Sequence, residues 1–266
     1  MKTIVCVKQV PASNEVRLDP KTNTIIRDGG QAVINPFDSH ALEAALQLKE
    51  RCGGTVTVLS MGIPDTARML RDCVARGADR ALLLTDRAFA GADTLATSYA
   101  LYRGVQAAGE FDLILCGKMA VDGDTAQIGP ELAERLGVPH VTDVEWLETE
   151  TDGSAVTVRR QLGGSVQTLR VPLPAVVTVT RELNVPRLPS IAGVLRAEET
   201  EVASYDVRRA GADESLCGLK GSPTQVVQTY LPRRTRVVEE IGGTAQERRQ
   251  RLVEIIKGEV TNGTGH

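Results

Sequence analysis

Along the first half of the chain, short runs of β-branched and leucine-type residues alternate with stretches of helical spacing. Thr3–Val7, Thr55–Ser60, Arg80–Thr85 and Asp112–Cys116 read as strands. Between them, Ser39–Arg51 sets Leu42, Ala45, Leu46 and Lys49 along one face and stops at Gly53-Gly54. Asp65–Arg76 ends at Gly77, Asp93–Gln106 ends near Gly109, and the helix after the fourth strand closes at Gly137. Strict alternation with short connections predicts an α/β fold: a mostly parallel, doubly wound sheet with helices on both faces.

The pattern changes beyond Val141. Val156–Arg160 and Val166–Val171 flank Gly163-Gly164 and predict an antiparallel hairpin near the sheet edge. Pro172-Leu173-Pro174 is a rigid elbow, and Ala175–Thr180 is one more buried strand. Upstream, the polar stretch Pro11 to Gly30, with Asp19-Pro20 and Asp28-Gly29-Gly30, suits a small hairpin. From Leu183 to Arg196, the residues Pro186, Pro189 and Gly193 mark an exposed loop. Residues 200–240 lack a convincing amphipathic run, and Gln246–Ile256 is a charged helix before a polar tail. This C-terminal stretch has two readings, a disordered tail or an arm lying along a partner subunit. Val226-Val227, Leu231 and Val237-Val238 supply apolar anchors that favour the arm.

The 266 residues are 42% hydrophobic and 24% charged, enough for one large α/β domain with an appendage. A net charge of −3 argues against nucleic acid as the main partner. No apolar run reaches transmembrane length, and Met1 leads into a strand without a signal-peptide pattern. A cytoplasmic protein without membrane insertion is therefore expected. Five cysteines without a CxxC spacing should be reduced thiols, with Cys6 and Cys116 as small core residues. His40, His140 and His266 lie far apart and build no metal spacing.

Candidate chemistry concentrates after the fourth strand. Gly117 ends that strand, and Asp122-Gly123-Asp124-Thr125 opens into Ala126-Gln127 and helical spacing through Leu136. Such a turn at a helix start suits phosphate, because the first N–H groups lack intrahelical partners and the helix dipole favours negative charge. Thr125 adds a hydroxyl. Asp122 and Asp124 would repel phosphate and are assigned to ribose hydroxyls or to capping. The same spacing also fits an ordinary connection with an aspartate N-cap, and it is neither a P-loop nor a GxGxxG fingerprint. Ligands of open parallel sheets sit outside the carboxyl ends of the strands. The loops Cys6 to Gln9, Ser60 to Gly62, Thr85 to Thr94 and Gly117 to Ile128 should therefore converge. No GxSxG, HExxH or Cys–His pair is present. The residues describe a nucleotide-holding scaffold in which a bound cofactor performs the chemistry.

Across nearly the whole chain stand, in order, Val5-Cys-Val-Lys-Gln-Val-Pro11, then Asn35-Pro-Phe-Asp38 with Ala41-Leu-Glu-Ala44, then Gly77-Ala-Asp79. After these come Cys116-Gly-Lys, Asp122-Gly-Asp-Thr-Ala-Gln127 with Gly129-Pro130, and Leu173-Pro-Ala-Val-Val-Thr178. In this order and spacing the chain resembles the β subunit of electron-transfer flavoprotein. The loop Asp122–Gln127, the segment Asp86–Ser98 and the run Gly221-Ser-Pro-Thr-Gln-Val226 resemble the electron-bifurcating, two-FAD subgroup.

The resemblance implies a heterodimer with an electron-transfer flavoprotein α subunit. It implies a β-site FAD that accepts hydride from NADH, with electrons passed to ferredoxin or flavodoxin. Through the α-subunit FAD, electrons would also reach an acyl-CoA dehydrogenase-type partner. NADH oxidation would belong to the heterodimer alone. Implied nucleotide contacts are Cys6, Asn35, Pro36, Phe37, Asp38 and Met61, together with Gly117, Lys118, Met119, Ala120, Val121, Asp122, Gly123, Asp124, Thr125, Ala126, Gln127 and Ile128. Thr94 and Thr97 come from the subgroup pattern. A partner-recognition loop maps to residues 184–196, with Leu188 as its apolar anchor, inside a nucleotide-binding domain of residues 1–221. Residues 222–266 would form the arm and helix that pack on the α subunit.

Two departures stand out. Gln161-Leu-Gly-Gly-Ser165 lacks the acidic hairpin turn of the family, and Arg196-Ala-Glu-Glu-Thr200 replaces a lysine-rich stretch, which bears on partner choice. Two other readings stay open. AMP could be a structural nucleotide in the same site, or the chain could be a stand-alone adenine-nucleotide-binding α/β protein.

Overall fold

The computed structural model describes residues 1–12, 17–18, 25–26, 32–227 and 240–262. In chain order the elements are β1 (Lys2–Cys6), β2 (Gln9–Pro11), β3 (Arg17–Leu18), β4 (Ile25–Ile26), β5 (Ala32–Ile34), α1 (Pro36–Cys52), β6 (Thr55–Met61), α2 (Thr66–Arg76) and β7 (Arg80–Leu84). There follow α3 (Thr94–Ala108), β8 (Leu113–Gly117), α4 (Ile128–Leu136), β9 (His140–Thr149), β10 (Ala155–Leu162), β11 (Ser165–Pro172), β12 (Ala175–Val179), α5 (Ile191–Glu199), β13 (Val202–Tyr205) and α6 (Ala245–Asn262). The chain divides into two units, Met1–Val227 and Gln228–His266.

Nine strands form the main sheet in the order β11-β10-β9-β12-β8-β1-β6-β7-β13. From β9 to β13 every neighbouring pair is parallel, and β10 and β11 add the antiparallel edge. The expected doubly wound α/β sheet with an edge hairpin is what the chain forms. The period of two along each strand sends alternate side chains to opposite faces. Val5, Val56, Val58, Leu113 and Leu115 pack beneath α1 and α2 with Leu42, Leu46, Met69 and Leu70. Ile4, Leu59, Ile114 and Cys116 meet α3 and α4 through Ala100, Leu101, Val105 and Leu132. Each fully buried leucine in these layers contributes about 2–3 kcal/mol.

The chain starts in the middle of the sheet, builds outward through β6 and β7, then crosses back so that β8 lies on the other side of β1. The carboxyl ends of β1 and β8 therefore flank a crevice from which the connections diverge, the place where ligands bind in such sheets.

Several elements differ from the sequence expectation. β9 is a ten-residue strand where no strand was expected. Its buried residues Val141, Val144 and Leu147 are spaced by three rather than two: Asp143 takes a left-handed φ of 61° at the register shift against β12, and a second shift against β10 falls between Val144 and Trp146. The bulge hides the alternation. The loop expected over Leu183 to Arg196 is half helix. Ser190 caps α5 by accepting the Gly193 N–H at 3.0 Å. Gly193 is a packing glycine and not a loop signal: a Cβ there would lie 2.0 Å from the Ala75 carbonyl oxygen of α2. β13, only four residues long, extends the sheet beside β7 within a stretch that showed no pattern.

In the polar region after β1, β2 pairs with β5 and β3 with β4, both antiparallel. Asp19-Pro20 and Asp28-Gly29-Gly30 lie outside the described residues, as do Leu231, Val237-Val238 and His266. The C-terminal helix α6 is longer than expected at both ends. Thr244 and Glu247 close its start reciprocally, with the Thr244 N–H donating to Glu247 Oε2 at 2.7 Å and the Glu247 N–H to Thr244 Oγ1 at 3.4 Å. No helix among the described residues is long and apolar enough to cross a membrane. The cysteines are free thiols, and Cys6 and Cys116 are buried as register partners on β1 and β8.

Replacing Gly193 with alanine should push α5 off α2 and cost about 1–3 kcal/mol. Urea denaturation would read this as a lower midpoint at unchanged slope; an unaltered midpoint would show that the contact tolerates a methyl group.

Candidate functional site

Asp38 stands in the first turn of α1 and is 6% exposed. One carboxylate oxygen accepts the Lys8 backbone N–H at 2.7 Å and the other the Gly117 N–H at 3.1 Å. It thus ties the chain leaving β1 to the last residue of β8, across the crevice. Burial pushes its pKa up from 3.8 to about 7, against the opposing hydrogen bonds from Asn35, Lys8 and Gly117. Gly117 has to be glycine, because a Cβ would sit 2.3 Å from Asp38 Oδ1 and 2.6 Å from Phe37 Cβ. Pro36 occupies the first turn of α1, where its missing N–H costs nothing. Phe37 carries the Arg181 guanidinium 4.6 Å above its ring.

Asn35, fully buried, fixes the next stretch. Its Nδ2 donates to the Met119 carbonyl at 2.9 Å and its Oδ1 accepts the Val121 N–H at 3.2 Å. Lys118 Nζ pairs with Asp143 Oδ1 at 2.5 Å, and Lys8 Nζ with Asp122 Oδ1 at 2.7 Å. The loop then turns sharply: the N–H groups of Gly123 and Asp124 both donate to the Ala120 carbonyl. Asp124 and Ala126 adopt φ of 50° and 54°, so the helix cannot begin before Ile128, two residues later than expected. Neither Asp122 nor Asp124 caps it. The N-cap position is Gln127, without a side-chain cap, and Asp122 is engaged by Lys8 instead.

α3 approaches the same loop end-on. Asp93 caps α3 through the Ala96 N–H at 3.0 Å. Thr94 Oγ1 lies 2.9 Å from Gln127 Oε1 and 3.0 Å from Glu131 Oε1 and donates its proton to this pair of acceptors. Thr97 follows one turn on, half-buried. Burial alone would raise the Asp93 carboxyl, but the bonds from Ala96, Thr224 and Ser222 hold it below the ordinary carboxylate range.

The expected residues 35–38, 94 and 117–128 therefore converge at the ends of β1 and β8 and the starts of α1, α3 and α4. Cys6 and Met61 end the adjacent strands β1 and β6 with their side chains turned into the core layer under α3 and α4. Leu188 lies elsewhere, in the segment along α1. Sequence reasoning missed Lys8 and Asp143 as ion-pair partners of this loop. Asp143 carried no signal, since its position depends on the bulge in β9. Asp93 was readable as an aspartate three residues before the Ala96 N–H that it caps.

An adenosine phosphate fits what these residues present. The N–H groups of Thr125, Ala126, Gln127, Ile128 and Gly129 donate to no acceptor among the described residues, and they gather at a helix start, the geometry that suits phosphate oxygens. Glu131 Oε2 is a buried acceptor without a hydrogen-bond partner, and the Asp124 carboxylate is exposed. Both match hydroxyl donors of a ribose better than a phosphate. Among the described residues no cluster of His, Cys, Asp or Glu could hold a metal ion.

The fold and this edge define a doubly wound α/β protein with a candidate ligand crevice at its strand reversal. The family model "Electron transfer flavoprotein domain" matches residues 22–210. Over 255 residues the chain is 46% identical to the electron transfer flavoprotein subunit beta of Thermoanaerobacterium thermosaccharolyticum, covering 96% of this chain and 97% of the relative. It is also 46% identical over 245 residues to the caffeyl-CoA reductase–Etf complex subunit CarD of Acetobacterium woodii, covering 92% and 93% of the two chains. Protein FixA of Azorhizobium caulinodans is 46% identical over 238 residues, with coverages of 87% and 85%. The chain belongs to the electron transfer flavoprotein β-subunit family. Membership implies an α-subunit partner and association with flavin or nucleotide.

Because Asp38 binds its proton more tightly folded than unfolded, its contribution to stability is greatest below pH 4 and falls as pH rises to about 7. Asp38→Asn keeps one acceptor and turns an NH2 group towards the other donor, at a cost of roughly 1–3 kcal/mol. Unfolding measured across this range should show a flatter pH dependence in the variant; equal slopes would mean that Asp38 is not the titrating group.

Proposed function

We propose that this chain is the β subunit of a two-flavin, electron-bifurcating electron-transfer flavoprotein, with FAD held between the β8–α4 loop and the start of α3. The observation that carries this reading is the Thr94 hydroxyl on Gln127 and Glu131, which joins two segments resembling the bifurcating subgroup. When bound, the flavin supplies hydride acceptance from NADH, passing electrons to ferredoxin or flavodoxin and, through the α-subunit FAD, to an acyl-CoA dehydrogenase-type partner.

The chain's own residues bind and position. The N–H groups of Thr125 to Gly129 receive phosphate, and the carboxylates of Asp124 and Glu131 receive ribose hydroxyls. Lys8 offsets the charge of Asp122, which would otherwise repel phosphate. No protein side chain has to move a proton, in keeping with a site that lacks a nucleophile–base pair.

Docking of the dehydrogenase falls to the segment that leads into the first residue of α5. Val185, Leu188 and Ile191 are 86%, 85% and 85% exposed. They are held out by polar anchors on α1. Asn184 Nδ2 donates to the His40 carbonyl at 3.0 Å, and Arg187 pairs with Glu43 at 2.8 Å and Glu50 at 2.5 Å. Burial alone would raise the Glu43 carboxyl, but the bonds from Arg187 and Gln47 hold it below its ordinary value. The apolar tips are thus presented on a fixed base. The α subunit takes the C-terminal arm, on whose helix Leu252, Val253 and Ile256 are exposed at helical spacing.

Absorbance and chromatography of the denatured heterodimer test the cofactor reading. Two FAD and no AMP per heterodimer are expected; one FAD with one AMP would make this chain a structural subunit of a conventional carrier. Leu188→Ala should keep the flavin content and slow electron delivery to the dehydrogenase about tenfold, the effect of losing an anchor of about 1.4 kcal/mol. An unchanged rate would remove this segment from docking.

A further inference from the structure

Two of the three segments that resemble the bifurcating subgroup lie far apart in sequence and have no evident reason to touch. In the fold they are bonded to each other. Asp93 Oδ2 accepts both the Thr224 N–H, at 3.1 Å, and the Thr224 hydroxyl, at 2.8 Å. The Asp93 N–H donates to Ser222 Oγ at 2.8 Å, and that hydroxyl donates onward to the Gly218 carbonyl at 2.7 Å in a buried bond. Nearby, the Leu219 N–H reaches the Ala90 carbonyl at 3.0 Å, and Asp86 accepts the Val207 N–H at 3.2 Å. Residues 207–224 are thus strapped over the loop between β7 and α3. Just beyond the strap, Val226 and Val227 are 84% and 98% exposed, and the first unit ends at Val227.

The neighbouring residue faces the other way. Thr94 is bonded to Gln127 and Glu131, at the end of the candidate nucleotide loop. Asp93 and Thr94 therefore sit back to back at the start of α3. One holds the chain entering the C-terminal arm and the other holds the loop that would carry the nucleotide. Two consecutive residues on one helix end cannot shift independently, because the Asp93 cap fixes both to the α3 axis.

We infer that the Asp93–Thr94 pair is a positioning latch that couples nucleotide occupancy of the 122–131 loop to attachment of the α subunit through the arm. Ordering the loop holds Thr94 and Asp93 in place, which holds Thr224 and sets where the arm departs. By linkage the effect runs both ways: a bound α subunit tightens the nucleotide by the same factor by which the nucleotide tightens the α subunit. The inference rests on the reading of this loop as the nucleotide site and of the arm as the α-subunit contact.

The test is the dissociation constant of the αβ heterodimer, measured by analytical ultracentrifugation in three states: nucleotide-stripped, saturated with FAD and saturated with AMP. The wild type should tighten roughly five- to hundredfold with the nucleotide that it holds. Asp93→Asn keeps the α3 cap, since asparagine caps as well as aspartate, but replaces by an NH2 group the oxygen that accepts both Thr224 donors. Thr224→Val removes the hydroxyl. In both, the ratio of stripped to saturated constants should fall towards one while the nucleotide remains bound, and Thr224→Ser should restore it. A merely structural loss would weaken all states alike and leave the ratio unchanged, which would overturn the latch. A wild-type ratio of one with nucleotide bound would overturn it too, while leaving the proposed function standing. Failure of the wild type to bind either FAD or AMP would overturn both.

Discussion

The carboxylate of Asp38 accepts one N–H from the chain leaving β1 and one from the end of β8, the two neighbours between which the strand order reverses. Without such a bridge, two buried backbone donors would each lose a partner, at about 1–3 kcal/mol apiece. The price of the bridge is a buried charge, seen in the raised pKa of about 7. Much of the site follows from it. Gly117 must lack a Cβ to admit the carboxylate, α1 must start where it does, and Asn35 is then placed to hold Met119 and Val121. A costly group at the strand reversal is a pattern expected of functional edges rather than of cores built only for stability.

α1 carries two jobs on one rigid element. Its amino end frames the crevice through Asn35, Phe37 and Asp38, while His40, Glu43 and Glu50 hold the segment 184–190 that displays Leu188. The crevice and the segment 184–190 are thereby kept at a set separation. The cations beside the loop are committed as well. Lys8 and Lys118 are paired with Asp122 and Asp143, which leaves backbone N–H groups as the main attraction for an anion. Such an edge would select by shape and hydrogen-bond direction more than by net charge.

Most of the fold was legible. The four N-terminal strands and their helices announced themselves by period, and Gly77 and Gly137 closed helices where expected. The hairpin β10–β11 showed in its alternation around Gly163-Gly164. β9 was not legible, because the left-handed Asp143 breaks its period. α5 was obscured by Gly193, a residue that reads as a breaker but is required by close contact with α2. β13 is too short to carry a pattern of its own. Within the site, residues 35–38 and 117–128 were found as contiguous motifs, whereas the engagement of Lys8, Asp143 and Thr224 was not, since each partner comes from a remote part of the chain.

By itself, the sequence determined which segments become strands and helices and that the sheet is mostly parallel and doubly wound. These are local or periodic properties, written in neighbouring residues. Tertiary structure alone decided which charges cancel, that Asp38 is buried and bridges two strands, and that Asp93 holds Thr224 while Thr94 holds Gln127. Those features depend on distances between residues up to 144 positions apart in sequence, and only the packed sheet sets such distances.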